Sequence, residues 1–387
     1  MTSRPQPREP RFCWLVGTAK GAFVLRTRGQ RSQVDVEGPI ELGAGISDFV
    51  QDYRDRARLV MTVGGGHLGP TVRCSGDGGR TWRESKLPPQ FGLPPKGQRR
   101  RGAQGKAVRR NFWLTPGHAS EPGVWYLGTV PMGLFRSEDH GDTWRGVDGF
   151  NLHSKYRRWF SFEEPPDGPF LHSILVDPRD PKRLQLSASV GGTFESHDAG
   201  LSWRPLNAGV ESDFGPERFA EFGQDPHCVI QHPADPDLFF QQNHCGIYRL
   251  DRSKGEDWAR IGRGMPEAIG DIGFGIAGHP GDRDTVWVFP MDGTRIWPRT
   301  SPGGKPALYR TRDGGQRWER LDAGLPVENA WFTVLRQALC TDFELRDPAL
   351  AFGTTGGEVW VGLEGGERFE CAAAHLPKIL SVRPALL

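Results

Sequence analysis

An eight-residue pattern, Ser/Thr-x-Asp-x-Gly-x-x-Trp, constrains the fold of this chain more than any other feature because it recurs along most of the sequence. Four segments carry it in full: SGDGGRTW at 75–82, SEDHGDTW at 137–144, SHDAGLSW at 196–203 and TRDGGQRW at 311–318. Two degraded copies keep part of it: DRSKGEDW at 251–258 and GLEGGERF at 362–369. Such a repeat predicts one supersecondary unit that is used several times.

The residue types in the pattern predict the tip of a hairpin. An Asp in a tight turn accepts hydrogen bonds from backbone amides one or two residues on. A Gly takes the positive-φ conformation that such a turn requires. A Trp buries a large apolar area beside the turn and offers its indole N–H to a carbonyl. We therefore expect each copy to be a self-anchored turn with a structural role.

The sequence around each copy predicts a four-stranded antiparallel meander, which is the blade of a β-propeller. An apolar strand with a Pro/Asp-rich turn precedes the other strands, as in HSILVDPRDP at 172–181. Residues 12–27 match the second and third strands of a blade, and residues 379–385 match a first strand. We therefore predict an all-β, single seven-bladed propeller over residues 12–387, closed by pairing of the C-terminal strand with the N-terminal hairpin. Residues 1–11 are expected to form a disordered or extended tail.

The repeat resembles the Asp-box, or BNR repeat, of the Asp-box β-propeller proteins. These proteins include sialidases, endoglucanases, sorting receptors and photosystem assembly factors, so the resemblance implies a fold and leaves the activity open. A group of bacterial BNR-repeat proteins, often labelled sialidase-like, is similar over nearly the whole chain. The segments QQNHCG at 241–246 and LPKILSV at 376–382 carry that similarity best.

Charge and composition argue against several classes of partner. Lys and Arg total 49 and Asp and Glu total 47, so the net charge of +2 creates no strong field toward nucleic acid or membrane. The arginine-rich segment GQRRRGAQGKAVRR at 97–110 has no aromatic residues, so binding to single-stranded nucleic acid is not expected. No apolar run reaches the length of a membrane span. The six Cys lack paired spacing, which favours free thiols and a cytoplasmic location.

Histidines supply the main candidates for a site. In a regular meander, turns between the second and third strands and links between blades lie on the face opposite the boxes. His172 and His227 would begin the inner strands of neighbouring blades, and His67 and His244 lie in second-to-third turns. We expect them to converge near the axis of the propeller. The candidate ligand-binding residues are His67, His172, His227, Asn243, His244, Cys245 and Arg336.

Three hypotheses fit this cluster. The histidines can be packed and hydrogen-bonded for structure only, as most buried polar groups are. They can bind a polar ligand together with Asn243, with Arg336 as a donor to an anion. The third hypothesis is a metal site, since imidazole and thiolate suit zinc or copper, although these residues lack the close spacing of a zinc motif. Its weak candidates are His172, His227, His244 and Cys245.

The leading functional prediction is a non-catalytic binding or scaffold propeller. It would capture a small polar or anionic ligand, or a segment of a partner protein, at the mouth of the channel, with no cofactor. The alternative is a glycoside hydrolase, because such enzymes need two carboxylates and two links are rich in them. Those carboxylates are Glu163, Glu164, Asp167, Glu217, Glu221 and Asp225. The sequence alone does not distinguish an enzyme from a binding protein.

Overall fold

The computed structural model describes residues 11–65, 69–92, 107–160, 169–293 and 299–387, and its regular structure there is almost entirely β-strand. Two short α-helices are α1 (Asp148–Asn151) and α2 (Tyr156–Trp159). Three single turns of 3₁₀ helix span Gly262–Gly264, Pro302–Gly304 and Glu364–Gly366. Within these ranges, no helix has the length and apolar character needed to cross a bilayer.

Twenty-eight strands make up the described fold. The first eleven are β1 (Phe12–Thr18), β2 (Gly21–Arg28), β3 (Gln30–Ile40), β4 (Phe49–Gln51), β5 (Leu59–Val63), β6 (Thr71–Ser75), β7 (Arg83–Glu84), β8 (Arg110–Pro116), β9 (Trp125–Val130), β10 (Leu134–Ser137) and β11 (Arg145–Gly146). The next eight are β12 (Leu171–Val176), β13 (Leu184–Ala188), β14 (Gly192–Ser196), β15 (Arg204–Pro205), β16 (Pro226–His232), β17 (Asp235–Asn243), β18 (Gly246–Asp251) and β19 (Ala259–Arg260). The last nine are β20 (Gly273–Gly278), β21 (Val286–Pro290), β22 (Leu308–Thr311), β23 (Glu319–Leu321), β24 (Val334–Thr341), β25 (Leu350–Thr354), β26 (Val359–Leu363), β27 (Arg368–Ala373) and β28 (Ile379–Leu386).

These strands form five four-stranded sheets and one eight-stranded sheet. The four-stranded sheets are β4–β7, β8–β11, β12–β15, β16–β19 and β20–β23, each an antiparallel meander in chain order. The eight-stranded sheet has the order β27-β26-β25-β24-β28-β1-β2-β3. Its two antiparallel halves meet through a single parallel pair, Gln337 with Ser381. This arrangement of meanders is the one that the boxes predict.

The first strand of each meander contacts the first strands of its neighbours. In chain order β4 contacts β8, β8 contacts β12, β12 contacts β16, β16 contacts β20, β20 contacts β24 and β24 contacts β28. β28 in turn contacts β4, which closes the circle. These inner strands therefore line a common axis, and residues at the start of each strand lie at one end of it.

The C-terminal strand joins the N-terminal hairpin, as the sequence predicts. β28 pairs antiparallel with β1 in a register that places Cys13 opposite Ala385 and Val16 opposite Val382. Backbone hydrogen bonds between Arg11 and Leu387 extend the pairing, with N···O distances of 2.7 and 2.9 Å. β1 pairs with β28 on one side and with β2 on the other, so it is not an edge strand, and all seven of its residues are buried.

The boxes are self-anchored turns, as expected. Each Asp binds the backbone amide of the residue four positions later, however, and not that of a residue one or two positions later. Asp139 accepts from the Ser137 hydroxyl at 2.8 Å, from the Thr143 backbone N–H at 2.8 Å and from the Thr143 hydroxyl at 2.7 Å. The Trp144 indole N–H donates to the Gly141 carbonyl at 3.0 Å, and Gly141 has a φ of 86°. Only a glycine adopts that angle without strain.

The other full boxes repeat the Asp and Ser/Thr bonds with one variation. In the boxes of Asp77 and Asp198 the indole again donates to the carbonyl of the box glycine. In the fourth box, Trp318 instead donates to the carbonyl of Ile261 at 3.2 Å, which ties the turn to the preceding sheet. The Asp side chain is thus occupied by its own turn in all four boxes, which supports a structural role.

Replacing Asp77 by Asn is expected to make stability less dependent on pH. The hydroxyl and amide of Thr81 and the hydroxyl of Ser75 bind the carboxylate and lower the pKa of Asp77 to about 2. Since an unfolded Asp has a pKa of about 3.9, the stabilisation is complete above that pH and disappears as the pH falls toward about 2. The free energy of unfolding, measured by urea titration, should therefore differ most between wild type and Asp77→Asn above pH 4 or so, and least near pH 2.

Asp257→Asn is the matched control for this prediction, because it replaces an exposed Asp outside the four full boxes. An Asp77→Asn variant whose destabilisation stays constant from pH 5 to pH 2 would show that hydrogen bonding to the ionised carboxylate does not stabilise the box.

Candidate functional site

Five polar side chains, here called the axial cluster, lie together at the start of the inner strands: Asp225, His227, His244, Arg299 and Arg336. Asp225 ends the link before β16, and His227 is the second residue of that strand. His244 lies in the turn between β17 and β18, and Arg336 lies on β24. The strand starts thus bring together residues that are far apart in the sequence.

A backbone bond and a pair of close contacts hold Asp225 to both histidines. The backbone N–H of His244 donates to the backbone carbonyl of Asp225 at 2.9 Å, which fixes the β17–β18 turn against the link before β16. The Asp225 carboxylate oxygen Oδ2 lies 3.3 Å from His227 Nε2 and 3.7 Å from His244 Nδ1. Its other oxygen accepts the Val190 backbone N–H at 3.1 Å.

The charge state of Asp225 follows from its neighbours. Burial alone would raise the pKa of this carboxyl, but His227 and Arg336 outweigh burial and hold the pKa well below its ordinary value. Asp225 is therefore ionised throughout the physiological range. An acid with so low a pKa serves as a hydrogen-bond acceptor, a base or a metal ligand, and poorly as a general acid.

His227 is held on both sides of its ring and is almost completely buried, with 1 % of its side chain exposed. Nδ1 lies 2.6 Å from the Gly273 carbonyl oxygen, while Nε2 faces Asp225. The ring also packs against Phe274 at 4.7 Å between centroids and against His244 at 5.7 Å. Burial lowers the pKa of His227, and the Asp225 carboxylate opposes that shift.

Arg336 lies half-buried among aromatic rings. Its guanidinium carbon is 4.7 Å from the centre of the Phe274 ring and 5.4 Å from that of Phe170. One NH₂ group reaches the Ser189 hydroxyl at 3.4 Å, and Nε is a buried atom with no hydrogen-bond partner among the described residues. Burial lowers the pKa of Arg336 to about 10, so the group stays charged at neutral pH.

Arg299 and Phe274 belong to the cluster although the sequence did not single them out. The Arg299 guanidinium carbon lies 5.6 Å from the centre of the same Phe274 ring that Arg336 contacts, and burial lowers its pKa. Phe274 therefore contacts His227 and both arginines. The sequence contained one signal for Phe274, which is its position. Phe274 is the second residue of β20, and His227, a predicted site residue, is the second residue of β16.

The remaining predicted residues take structural positions or lie outside the described ranges. His172 is fully buried, and its two ring nitrogens are 2.9 Å from the Ser173 hydroxyl and 2.9 Å from the Pro226 carbonyl. His172 and His244 thus lie on the same side of the molecule, both beside the segment 225–226. Burial lowers the pKa of His172 well below its ordinary value, so it is neutral. His67 and most of the arginine-rich segment at 97–110 lie outside the described residues.

Asn243 and Cys245 stabilise the turn that carries His244. Asn243 donates to the Gln241 side-chain oxygen at 2.6 Å and accepts the Cys245 backbone N–H at 2.9 Å. The Cys245 thiol donates to Asp213 at 3.1 Å, and burial raises its pKa to about 12. A thiol in that state is a poor metal ligand at neutral pH. Cys228 is also a free thiol, so the two cysteines form no disulfide.

The carboxylates proposed for glycoside hydrolysis are only partly described. Glu163, Glu164 and Asp167 lie outside the described residues. Glu217 and Glu221 are exposed on the link, and only Asp225 joins the axial cluster. The described residues therefore place one of the six candidate acids beside histidines and arginines.

Comparison with known proteins identifies the architecture. No protein-family model matches the chain, and no curated protein matches its sequence. Among solved structures, a family 74 glycoside hydrolase, the xyloglucanase of Xanthomonas campestris, has a TM-score of 0.63 at 19 % identity, over 95 % of this chain and 53 % of that chain. This chain therefore spans about half the length of that xyloglucanase.

Two further structures match over nearly the full length of both chains. The periplasmic gluconolactonase of Pseudomonas aeruginosa has a TM-score of 0.55 at 12 % identity, over 97 % of this chain and 99 % of its own. YCF48 of Cyanidioschyzon merolae has a TM-score of 0.50 at 14 % identity, over 99 % and 97 %. At identities of 19 % or less, these likenesses bear on the fold alone. They identify this chain as an all-β propeller.

Proposed function

We propose that this protein is a binding propeller that captures an acidic ligand at the axial cluster, with Arg336 as the residue that binds the anion. The observation that carries the proposal is a charged guanidinium among aromatic rings, with no carboxylate within ion-pair distance among the described residues and a buried, unpartnered Nε. A guanidinium that is partly withdrawn from water with no carboxylate in direct contact is costly, and a bound anion would offset that cost.

The orientation of Arg336 suits a carboxylate. Stacking on Phe274 and Phe170 holds the plane of the guanidinium by cation–π contact and leaves the N–H groups at its edge to donate. A planar guanidinium matches a carboxylate with two parallel hydrogen bonds, which a lysine cannot reproduce. Arg299, on the same Phe274 ring, adds a second positive charge.

The surroundings indicate that the ligand has an apolar part beside its carboxylate. Phe214 and Phe219, on the link that ends at Asp225, are 42 % and 60 % exposed, and Phe214 packs edge-on against His244 at 5.5 Å. Exposed aromatic side chains beside a polar site are typical of binding surfaces. A small aromatic or ring-bearing carboxylate, or an acidic side chain on a segment of a partner protein, has this chemistry.

Arg336→Gln is expected to weaken carboxylate binding by about 10- to 100-fold, because a charged hydrogen-bonded pair contributes about 1.5–3 kcal/mol. Isothermal titration calorimetry with benzoate tests the small-molecule form of the ligand, with benzamide as its neutral counterpart. A short peptide with one central Glu, and the same peptide with Gln, test the protein form. Arg317→Gln is the matched control, because Arg317 is 93 % exposed in a box turn.

Equal affinity of wild type and Arg336→Gln for benzoate and for the Glu peptide would overturn the proposal. Equal binding of benzoate and benzamide would do so as well, since the charge of the ligand would then be irrelevant.

The glycoside hydrolase alternative has less support. It needs a second carboxylate about 5–9.5 Å from Asp225, and the other candidates on that link, Glu217 and Glu221, are exposed. Turnover of aryl glycosides by wild type, lost in Asp225→Asn, would favour this alternative over a binding role.

We also infer a seven-bladed propeller of the Asp-box type over residues 12–387. Of the tail predicted over residues 1–11, residues 1–10 lie outside the described residues and Arg11 pairs with Leu387. The closed circle of seven inner strands supports that blade count, with the eight-stranded sheet as two blades. The four complete boxes support the relation to Asp-box proteins. Six free cysteines support a cytoplasmic location, where thiols stay reduced.

A further inference from the structure

We infer that Asp225, His227 and His244 bind one divalent transition-metal cation. Their ligand atoms all lie within 4.8 Å of one another, and the Asp225 carboxylate oxygen is 3.3 Å from the His227 nitrogen and 3.7 Å from the His244 nitrogen. Donors that bind one Zn²⁺ ion at about 2.0–2.1 Å in a tetrahedron are separated by about 3.4 Å. The three side chains therefore already have nearly the spacing of a coordination sphere, and small rotamer changes would complete it.

The hydrogen bonding of His227 supports a cation between these side chains. A carbonyl oxygen only accepts, so the 2.6 Å contact with Gly273 places the ring proton on Nδ1. Nε2 is then the ring nitrogen that faces the Asp225 carboxylate, at 3.3 Å. A metal ion would take the place of a proton between these two atoms. A ligating histidine that donates its other N–H to a backbone carbonyl is the usual arrangement in metal sites.

His244 provides an independent observation. Its Nδ1 is a buried atom with no hydrogen-bond partner among the described residues, although a carboxylate oxygen lies 3.7 Å away. The ring packs against the edge of Phe214 and against the ring of His227, and the backbone N–H of the same residue fixes the turn by donating to the Asp225 carbonyl. An imidazole nitrogen that is held in place without a partner among the described residues is available to bind a metal ion.

The donor set limits the kind of metal. Two imidazoles and one carboxylate suit borderline cations such as Zn²⁺, Co²⁺ or Fe²⁺ better than Ca²⁺ or Mg²⁺, which prefer oxygen. Of the four residues that the sequence suggested, only His227 and His244 take part. Both nitrogens of His172 have partners, and the Cys245 thiol binds Asp213, so neither completes the set.

Three protein ligands leave at least one coordination position open, and the charges nearby indicate what completes it. Asp225 contributes one negative charge, while Arg299 and Arg336 are positive and oppose a bare dication. An anion bound to both the metal and Arg336 offsets that repulsion. The metal and the carboxylate of the proposed function should therefore bind cooperatively, each raising the affinity of the other by the same factor. The metal site itself does not rest on that proposed function.

Cobalt and zinc titrations test the metal site. Full-length protein carrying Cys371→Ser, which removes the one exposed thiol, is treated with a chelator and titrated in buffer without carboxylates. We expect one Zn²⁺ per chain by calorimetry, and Co²⁺ to give visible d–d absorption without a thiolate charge-transfer band. His244→Ala and Asp225→Asn should weaken binding by at least about 100-fold, since loss of even an outer partner of a ligand costs 10- to 100-fold.

His197→Ala is the matched control because His197 is an exposed box histidine that also lies near a carboxylate, 3.2 Å from Glu195. Its zinc affinity should equal that of wild type. His244 is 36 % exposed, so His244→Ala is expected to fold, and its melting temperature without metal should confirm this. Absence of stoichiometric zinc binding, or equal affinity of a folded His244→Ala and wild type, would overturn the inference.

Failure of the metal site and failure of the proposed function give different results. Benzoate binding by chelator-treated protein, lost in Arg336→Gln, tests the anion site without metal. Zinc binding without carboxylate tests the metal site alone. A protein that binds benzoate and no zinc contradicts only the metal inference, and a protein that binds zinc and no benzoate contradicts only the anion-binding proposal.

Discussion

A chain that ends at residue 378 is expected to show no cooperative unfolding transition. The deletion removes β28, which supplies the partner of β1 and the buried side chains of Ile379, Val382 and Ala385. Without β28, the fully buried β1 becomes an edge strand with exposed apolar residues, and the contacts that join the two ends of the circle are lost. Far-UV circular dichroism during heating, together with light scattering, should reveal aggregation in place of a sigmoidal melt.

A circular permutant shows whether cooperative unfolding is lost because β28 is absent or because the position of the chain terminus has changed. Arg11 and Leu387 are joined by two backbone hydrogen bonds, so a short Gly-containing linker can connect them. New ends are placed at Asp180, in the turn between β12 and β13. The permutant keeps the β1–β28 pairing and should melt cooperatively. If the 378-residue chain melts cooperatively within a few degrees of wild type, β28 is not required to close the fold.

Arg383→Met is expected to lower the free energy of unfolding by about 3–5 kcal/mol, because it leaves a buried carboxylate without its partner. Arg383 donates to both oxygens of Asp48 at 3.1 and 3.2 Å, and the Asp48 side chain has no exposed surface. Asp48 also accepts the Leu114 backbone N–H at 3.0 Å, so this carboxylate links β28 to the strand β8. Urea titration at pH 7 measures the loss.

Two further variants test whether the loss of stability arises from an unpaired buried charge. Asp48→Asn combined with Arg383→Met should recover most of the stability, since no unpaired charge is then buried. Arg28→Met should cost less than about 1 kcal/mol, because the Arg28–Asp35 ion pair is exposed to solvent. Equal losses for Arg383→Met and Arg28→Met would show that burial of Asp48 does not determine the effect.

Much of the fold was predictable because the boxes impose local geometry that depends little on the rest of the chain. The turn around Asp139 is held by Ser137, Gly141, Thr143 and Trp144, which are all within seven residues of one another. The closing pair was predictable for another reason, since two incomplete blades at the chain ends complement each other. The single parallel contact between Gln337 and Ser381 has no sequence signal, because it depends on how two complete meanders meet.

The site was predictable in position and only partly in composition. Topology brought together the start of β16, the turn between β17 and β18 and the inner strand β24, which carry His227, His244 and Arg336. Sequence did not reveal that Asn243 binds within its own turn and that the Cys245 thiol binds Asp213 on the preceding link, since both depend on side-chain direction. Asp225 was one of six acids on two links, and nothing in a loop sequence distinguishes the one that meets two imidazoles.

The pairing of β1 with β28 has a consequence for biosynthesis. Cys13 and Ala385, which face each other in the sheet, are separated by 372 residues. At about 5–20 residues per second, a ribosome needs roughly 20–70 s to produce the partner that β1 requires. During that interval the N-terminal hairpin exposes an apolar strand, so we expect the nascent protein to depend on chaperones until translation of the last strand is complete.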